Sequence, residues 1–290
     1  MRCALLLLFL LGLSSLAAGA EGSYRSDVER WRKEDEQKHF SDLRLMSVAR
    51  FELREGKHSM GSAPTNDLVL PTGPPVLGTI ELHGKTVEIA LKPGITGTYN
   101  NQPTTKAVLP VAQAASPINP LWVGSVGLAV RERNGQIRLT VADKQCEFVR
   151  ARKTLRWFPL QARYRITAKF IPFDKPTTLS LPDSDGAERE YPSPGYVSFS
   201  MDGQTFTLQP TQSGDGLFFV FRDATAGKLT YGAGRFLNAD APKNGSVVLD
   251  FNKATNPLCA YNAFVICPMP PKQNRLSVAI PAGEKDYAPH

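Results

Sequence analysis

The sequence predicts a mostly β protein: two β-sandwich or barrel-like domains preceded by a short N-terminal helix. Three observations carry this. From Gly56 onward apolar residues recur with a period of two, as in strands that bury one face. His-Gly, Asn-Gly and Asp-Gly pairs interrupt that alternation at hairpin spacing. The 23 Pro and 23 Gly are spread along all 290 residues, where they break apolar runs into strand-sized lengths.

The chain opens with the three parts of a secretory leader. Arg2 is the positive start, Ala4 to Leu13 the apolar stretch, and Ser14 to Ala20 a small, weakly polar end. Ala18-Gly19-Ala20 is the small-x-small pattern that places cleavage after Ala20. An uncleaved anchor is the other reading, but the apolar stretch is short against the ~20 residues a spanning helix needs. The expectation is residues 1–20 as signal peptide and an exported protein, periplasmic or extracellular, with no transmembrane segment in the mature chain.

Residues 21–55 form the lead-in. Across residues 24–55, Val28, Trp31 and Phe40 punctuate a highly charged stretch that lacks Pro and Gly, and Ser26 with Glu29 reads as a capping box. A helix is expected from about Asp27 to Lys38, then a strand near Val48 to Leu53. Residues 56–150 carry two hairpins. One is Thr79 to Leu91, turning at His83-Gly84. The other is Gly127 to Val141, turning at Asn134-Gly135. Residues 151–290 form the second β domain. Tyr164 to Phe170 alternates, Asp183 to Pro194 reads as a polar loop, and Tyr196 to Leu208 reads as a hairpin turning at Asp202-Gly203. Leu217 to Phe221 is apolar throughout, as in a strand buried on both faces, and Val247 to Phe251 follows as another.

The formal charge of +7 sets 34 basic against 27 acidic residues. That excess weakly favours anionic ligands. It is not the dense basic stripe of a nucleic-acid binder. The most basic stretch, Arg150 to Arg165, is either a solvated face over packed aromatics or an anion-binding rim.

Of four cysteines, Cys3 lies in the leader and Cys146 stands alone. Cys259 and Cys267 are close, and in an oxidising compartment the pair reads first as a disulfide. So short a loop would be worth roughly 2–3 kcal/mol in the chain-entropy model. A metal site lacks local partners: no histidine lies between His83 and His290, and there is no Cys-x-x-Cys.

The best-placed polar cluster is Arg222, Asp223, Tyr231, Arg235, Asp250, Asn252, Asn256 and Tyr261. Asp250 and Asn252 share a strand face, Arg235 could pair with Asp250, and Gly232 and Gly234 would admit a close backbone or ligand approach. The cluster is either a structural ion-pair network or a pocket in which Arg235 holds an anion while Asp250 or Tyr231 orients it. Its ligand-binding candidates are Tyr231, Arg235, Asp250, Asn252, Asn256 and Tyr261. Catalytic arrangements built on histidine have little to draw on, and no HExxH, GxSxG or phosphate loop is present. A carboxylate pair such as Asp223 with Asp250 remains open as a hydrolase site.

Residues 222–261, with Tyr231-Gly232-Ala233-Gly234-Arg235, Asp250-Phe251-Asn252 and Asn256-Pro257-Leu258-Cys259-Ala260-Tyr261, resemble the bacterial domain-of-unknown-function family 1684. So do Cys267-Pro268, Asn274-Arg275-Leu276 and Ala282-Gly283-Glu284-Lys285. The family implies no established activity. Gly61 to Pro71, with Asn66-Asp67, and Thr96 to Asn101 resemble forkhead-associated domains, β-sandwich readers of phosphothreonine peptides. Ser62 stands where that family has its phosphate-gripping Arg, so the resemblance implies the sandwich without the phosphopeptide site. Together these readings give a binding or structural module with a small polar, anion-compatible pocket, no cofactor, and a small anionic ligand or an envelope protein as partner. The alternatives are a histidine-independent hydrolase using carboxylates and an envelope interaction scaffold. The scaffold would show an exposed apolar patch near Arg150 to Arg165.

Overall fold

The structure, a computed structural model, describes residues 3–112 and 119–287, with side chains from Gly22 onward. The leader expected over residues 1–20, with cleavage at Ala20, lies outside the residues whose side chains are described. The chain divides into two compact units. A split unit takes Met1–Ser41, Thr154–Tyr261 and Ile266–His290, and an inserted unit takes Asp42–Lys153 and Asn262–Val265.

Helix α1 spans Cys3–Phe40, so helix extends well upstream of the expected start at Asp27. Ser26 does not cap it: the Ser26 hydroxyl donates to the Gly22 carbonyl one turn back, at 3.1 Å. A serine bonded this way continues a helix instead of starting one. Among the described residues, no helix is long and apolar enough to cross a membrane.

The described residues of the inserted unit form eleven strands. They are β1 (Ser47–Glu52), β2 (Gly56–Gly61), β3 (Leu68–Val69), β4 (Gly78–His83), β5 (Thr86–Leu91), β6 (Gly97–Tyr99), β7 (Gln102–Thr104), β8 (Lys106–Leu109), β9 (Leu121–Val123), β10 (Val126–Arg133) and β11 (Gln136–Asp143). Helix α2 (Glu147–Ala151) follows. One sheet has the order β1-β11-β10-β9-β6-β7 and the other β3-β2-β4-β5-β8. Ile80, Val87 and Ile89 from one sheet and Leu128, Leu139 and Val141 from the other enter a single buried cluster, which makes the unit a sandwich. The Asn134-Gly135 turn carries positive φ at both corners, 53° and 76°, the type I′ geometry that Asn-Gly favours. In the other hairpin His83 pairs with Thr86, so the turn is Gly84-Lys85, one residue later than the alternation suggested.

The split unit adds β12 (Arg165–Pro182), β13 (Glu188–Met201), β14 (Gln204–Leu208), β15 (Thr211–Ser213), β16 (Gly216–Phe221), β17 (Arg235–Ala239) and β18 (Ser246–Asp250). A four-stranded sheet runs β14-β13-β12-β18 and a three-stranded sheet runs β15-β16-β17. Phe199, Phe219, Phe221, Leu249 and Phe251 form the main core, with Phe251 ringed at 5.5 Å by Phe221 and 5.8 Å by Phe199. Val220, on the other face of β16, packs with Leu179 and Leu181, so this apolar strand is buried on both sides. Of the segment Asp183 to Pro194, only residues 183–187 form the turn; the rest is strand. Its residues from Glu188 pair with Pro182 back to Thr177. The charges that suggested a loop sit on the outward register: Glu188 and Glu190 are exposed while Ser193 is buried. After Asp250 the described residues contain no further strand, only short 3-10 turns and bridges.

Candidate functional site

The polar residues of the split unit fall into three neighbouring groups. The first is a structural pair. Arg235 opens β17 with its side chain turned inward, only 1% exposed, and forms an ion pair with Asp223, which is equally buried. Its Nη1 also donates to the Ala282 carbonyl and its Nη2, at 3.0 Å, to that of Ile280, while its Nε is buried without a partner among the described residues. Asp223 also accepts from the Thr225 amide (2.8 Å), the Thr225 hydroxyl (2.6 Å) and the Ile280 amide (3.2 Å). A buried charge is tolerated only when paired and hydrogen-bonded in this way. Arg235 therefore faces Asp223, not Asp250, and its guanidinium ties down the C-terminal segment. The glycine immediately before it, Gly234, serves the same packing; a Cβ at Gly232 would meet only ordinary contacts. Gly234 sits at φ +122°, and a Cβ there would lie 2.4 Å from Pro270 Cγ and 2.7 Å from the Phe221 carbonyl. The close approach expected at that turn is made by the protein's own chain.

The second group is an N-terminal clasp. Asp250 ends β18, and its Oδ1 accepts from the Tyr24 hydroxyl of α1 at 2.8 Å. Asn252 Nδ2 donates to Tyr24 Oη at 3.1 Å and to the Gln161 carbonyl at 2.9 Å. Arg32 donates to the Asn252 carbonyl at 3.2 Å and lies over the Trp157 ring at 4.7 Å. Burial, with Asp250 beside it, holds the Tyr24 phenol well above its ordinary range. Asp250 and Asn252 do share a face, as expected, and that face is covered by α1. Asp223 and Asp250 each have their own partners and do not form a carboxylate pair with each other.

The third group is chemically unsettled, and it forms the candidate site. Glu284, 1% exposed, accepts from the Tyr261 hydroxyl and, at 2.8 Å, from the Asn256 amide. Among the described residues no cation is bonded to it, and burial pushes its carboxyl from 4.5 up to about 8, with Asp35 adding to the rise. Desolvation likewise lifts Asp35 to about 6. Tyr261 meets the His39 ring edge-on (centroids 4.1 Å apart) and the Tyr287 ring at a tilt (4.6 Å), and its phenol is raised by burial and by Glu284. Asn256 Nδ2 donates to the Lys285 carbonyl at 2.8 Å, which fixes the amide orientation. Its Oδ1 is buried and has no partner among the described residues. Beside this group, the Tyr231 hydroxyl reaches the Cys259 carbonyl at 3.5 Å and Cys259 Sγ at 3.9 Å. Cys259 and Cys267 are both thiols here, with the Cys259 amide donating to Cys267 Sγ at 3.4 Å. The disulfide expected from their spacing is not formed.

Of the six expected ligand residues, then, Tyr231, Asn256 and Tyr261 gather at this third group, Asp250 and Asn252 lie in the clasp, and Arg235 lies in the core. Glu284 and Asp35 were not singled out from the sequence. One acid in Ala-Gly-Glu-Lys and another in a charged helix give no periodic sign of burial. Among the described residues, no group of three or more His, Cys, Asp and Glu side chains is placed to hold a metal. The inserted unit has a half-open groove of about 520 Å³ lined by Glu52, Arg54, Glu55 and Gln136. Its carboxylates are engaged, Glu52 with Arg138 and Glu55 with the Gly84 amide. In the loop that resembles a phosphate-reading one, the Ser62 hydroxyl donates to the Gly73 carbonyl at 2.9 Å. No large hydrophobic residue between Arg150 and Arg165 is exposed; the exposed ones described are Val69, Val76, Val108, Leu229, Val248 and Phe264.

The fold and site thus define a mostly β protein with an inserted sandwich and a split unit that carries a buried, acid-rich polar cluster. Residues 150–285 match the model of the family described as a protein of unknown function, DUF1684. The match takes in every residue of the cluster except those supplied by α1 and Tyr287. The chain is also similar to the uncharacterized protein from gene locus rrnAC0354 of Haloarcula marismortui, known from a solution NMR structure. Identity is 31%, over 49% of this chain and 80% of that one, with a TM-score of 0.42. No curated protein matches the chain.

Proposed function

We propose that the protein is an exported binding module whose ligand site is the Asn256–Tyr261–Glu284 group, with Tyr231 at its margin. The observation that carries this is Asn256 Oδ1, a buried acceptor without a donor on a residue 4% exposed. Leaving such a group unpaired costs about 1–3 kcal/mol, and buried acids with displaced proton affinities concentrate at binding and catalytic sites. The ligand that fits is a small neutral polar molecule with hydrogen-bond donors, such as a polyol or a primary amide. An anion is a poorer fit, because Arg235, the cation on which that expectation rested, is committed to Asp223.

The test is calorimetric titration of the mature protein at neutral pH with neutral polyols and amides and with carboxylates of equal size. Binding of the neutral class that Asn256→Ala reduces by at least ~tenfold, as loss of one buried hydrogen bond predicts, supports the reading. Preferential binding of carboxylates, or binding indifferent to Asn256→Ala, overturns it. Export rests on Arg2, the leucine-rich stretch and Ala18-Gly19-Ala20. N-terminal sequencing of the secreted product should begin at Glu21. For the inserted unit we propose a sandwich akin to forkhead-associated domains without their phosphopeptide site. Its two-sheet order supports the first part and the hydroxyl of Ser62 in place of a guanidinium supports the second.

A further inference from the structure

Cys259 and Cys267 sit in unequal environments. Cys259 lies on the 3-10 turn Leu258–Ala260 and is partly exposed, whereas Cys267 is 5% exposed. Cys267 is fixed by exchange with Ser184: its amide donates to Ser184 Oγ at 3.2 Å, and the Ser184 amide donates to its carbonyl at 2.9 Å. Its Sγ receives the Cys259 amide at 3.4 Å, and the Tyr231 hydroxyl approaches Cys259 Sγ at 3.9 Å. Each sulfur therefore faces a donor able to stabilise negative charge, and the two sulfurs differ in access. A reagent reaches the partly exposed Cys259 more readily than the buried Cys267 beside it.

We propose that Cys259 and Cys267 form a thiol–disulfide exchange site acting on small-molecule disulfides, with Cys259 as the attacking sulfur and Cys267 as the resolving one. In the first step the Cys259 thiolate attacks one sulfur of the external disulfide. A bond forms from Cys259 Sγ to that sulfur, the external S–S bond breaks, and the departing thiolate takes up the proton lost by Cys259. In the second step the Cys267 thiolate attacks Cys259 Sγ, the intramolecular disulfide forms, and the second external thiol leaves with the proton from Cys267. Two protein thiols are oxidised by two electrons and one external disulfide is reduced to two thiols. The hydrogen bonds from Cys267 and Tyr231 hold the Cys259 thiol below its ordinary range against the opposing effect of burial, which favours the attacking role.

The probe is oxidised glutathione acting on the folded mature protein, read by alkylation and peptide mass. Cys146, 8% exposed, is the internal control. Cys259 should alkylate on the order of tenfold faster than Cys146. The wild type should lose the Cys259 and Cys267 labels together and regain both under dithiothreitol without unfolding. Cys267→Ser should accumulate glutathione on Cys259. The proposal is overturned if folded Cys267→Ser takes up no glutathione at Cys259, or if the wild-type disulfide, once formed, is released only on unfolding, as a static cross-link would be. Should Cys267→Ser not fold, the wild type decides alone. Loss of both labels in a single two-electron step across a glutathione redox series supports exchange, and loss of one or neither refutes it.

Discussion

Glu284→Gln should flatten the pH dependence of stability. Glu284 is buried, bonded by Tyr261 and Asn256, and its carboxyl lies at about 8 against 4.5 for the unfolded chain. The folded state thus holds this proton more tightly than the unfolded one. The associated stability is fully present below about 4.5 and is lost as pH rises toward and through about 8. Ionising the group in place costs on the order of 5 kcal/mol over that window, a large share of a typical folding free energy. Glutamine is the close isostere of the protonated acid. Its carbonyl can take the Asn256 amide, and its NH2 can donate to the Tyr261 oxygen, which accepts as well as it donates. Urea unfolding at a series of pH values from about 5 to 9 measures the effect. The wild type should lose several kcal/mol across that range by this linkage, and Glu284→Gln should lose at most the smaller part that Asp35 contributes. Parallel curves for the two proteins would show that Glu284 titrates normally and that the cluster is solvated.

Three further outcomes follow from the other groups. Arg235→Met leaves Asp223 charged and buried and should cost about 3–5 kcal/mol; Arg235→Met with Asp223→Leu should cost clearly less than the two single changes added, which a double-mutant cycle in denaturant reads directly. Tyr24→Phe removes the bond to Asp250 and should cost about 1 kcal/mol, with faster amide exchange concentrated in α1. Gly283→Ala requires a side chain at φ +77°, where its Cβ would lie 2.5 Å from the Ala254 carbonyl; it should cost more than the ~1 kcal/mol of an ordinary left-handed substitution and lower Tm accordingly.

The hairpins were legible in the sequence because alternation and turn chemistry are local. Asn134-Gly135 and Asp202-Gly203 sit at their corners with positive φ as the dipeptides imply. The segment after Asp183 misled because outward-facing glutamates on a strand look like loop polarity when the partner strand is not visible. The candidate site was half legible. Tyr231, Asn256 and Tyr261 stood out as polar residues in an apolar neighbourhood. The partner of Arg235 was misjudged because Asp223 and Asp250 are equivalent in the sequence, and only the meeting of β16, β17 and β18 distinguishes them. Asp35 and Tyr24 were unreadable because their roles depend on contacts more than 200 residues apart in the chain, as between Tyr24 and Asp250 with a separation of 226, whereas Glu284 meets Tyr261 and Asn256 only 23 and 28 residues back but carries no local sign of burial.

The hold of Arg235 on Ala282 has a consequence for the order of events during synthesis. The two residues are 47 positions apart, a stretch that takes a ribosome roughly 2–9 s to add at ~5–20 residues per second. For that interval the guanidinium has Asp223 but lacks the two carbonyls that complete its setting, and the split unit, which also needs the first residues of the chain, stays open. The inserted unit has all but four of its residues in one continuous stretch and can condense first. A stop codon after Leu276 would remove the 14 residues that follow it in this sequence, Ile280 and Ala282 among them, and should leave a chain that is recognised as unfinished and degraded, while a fragment of residues 42–153 persists.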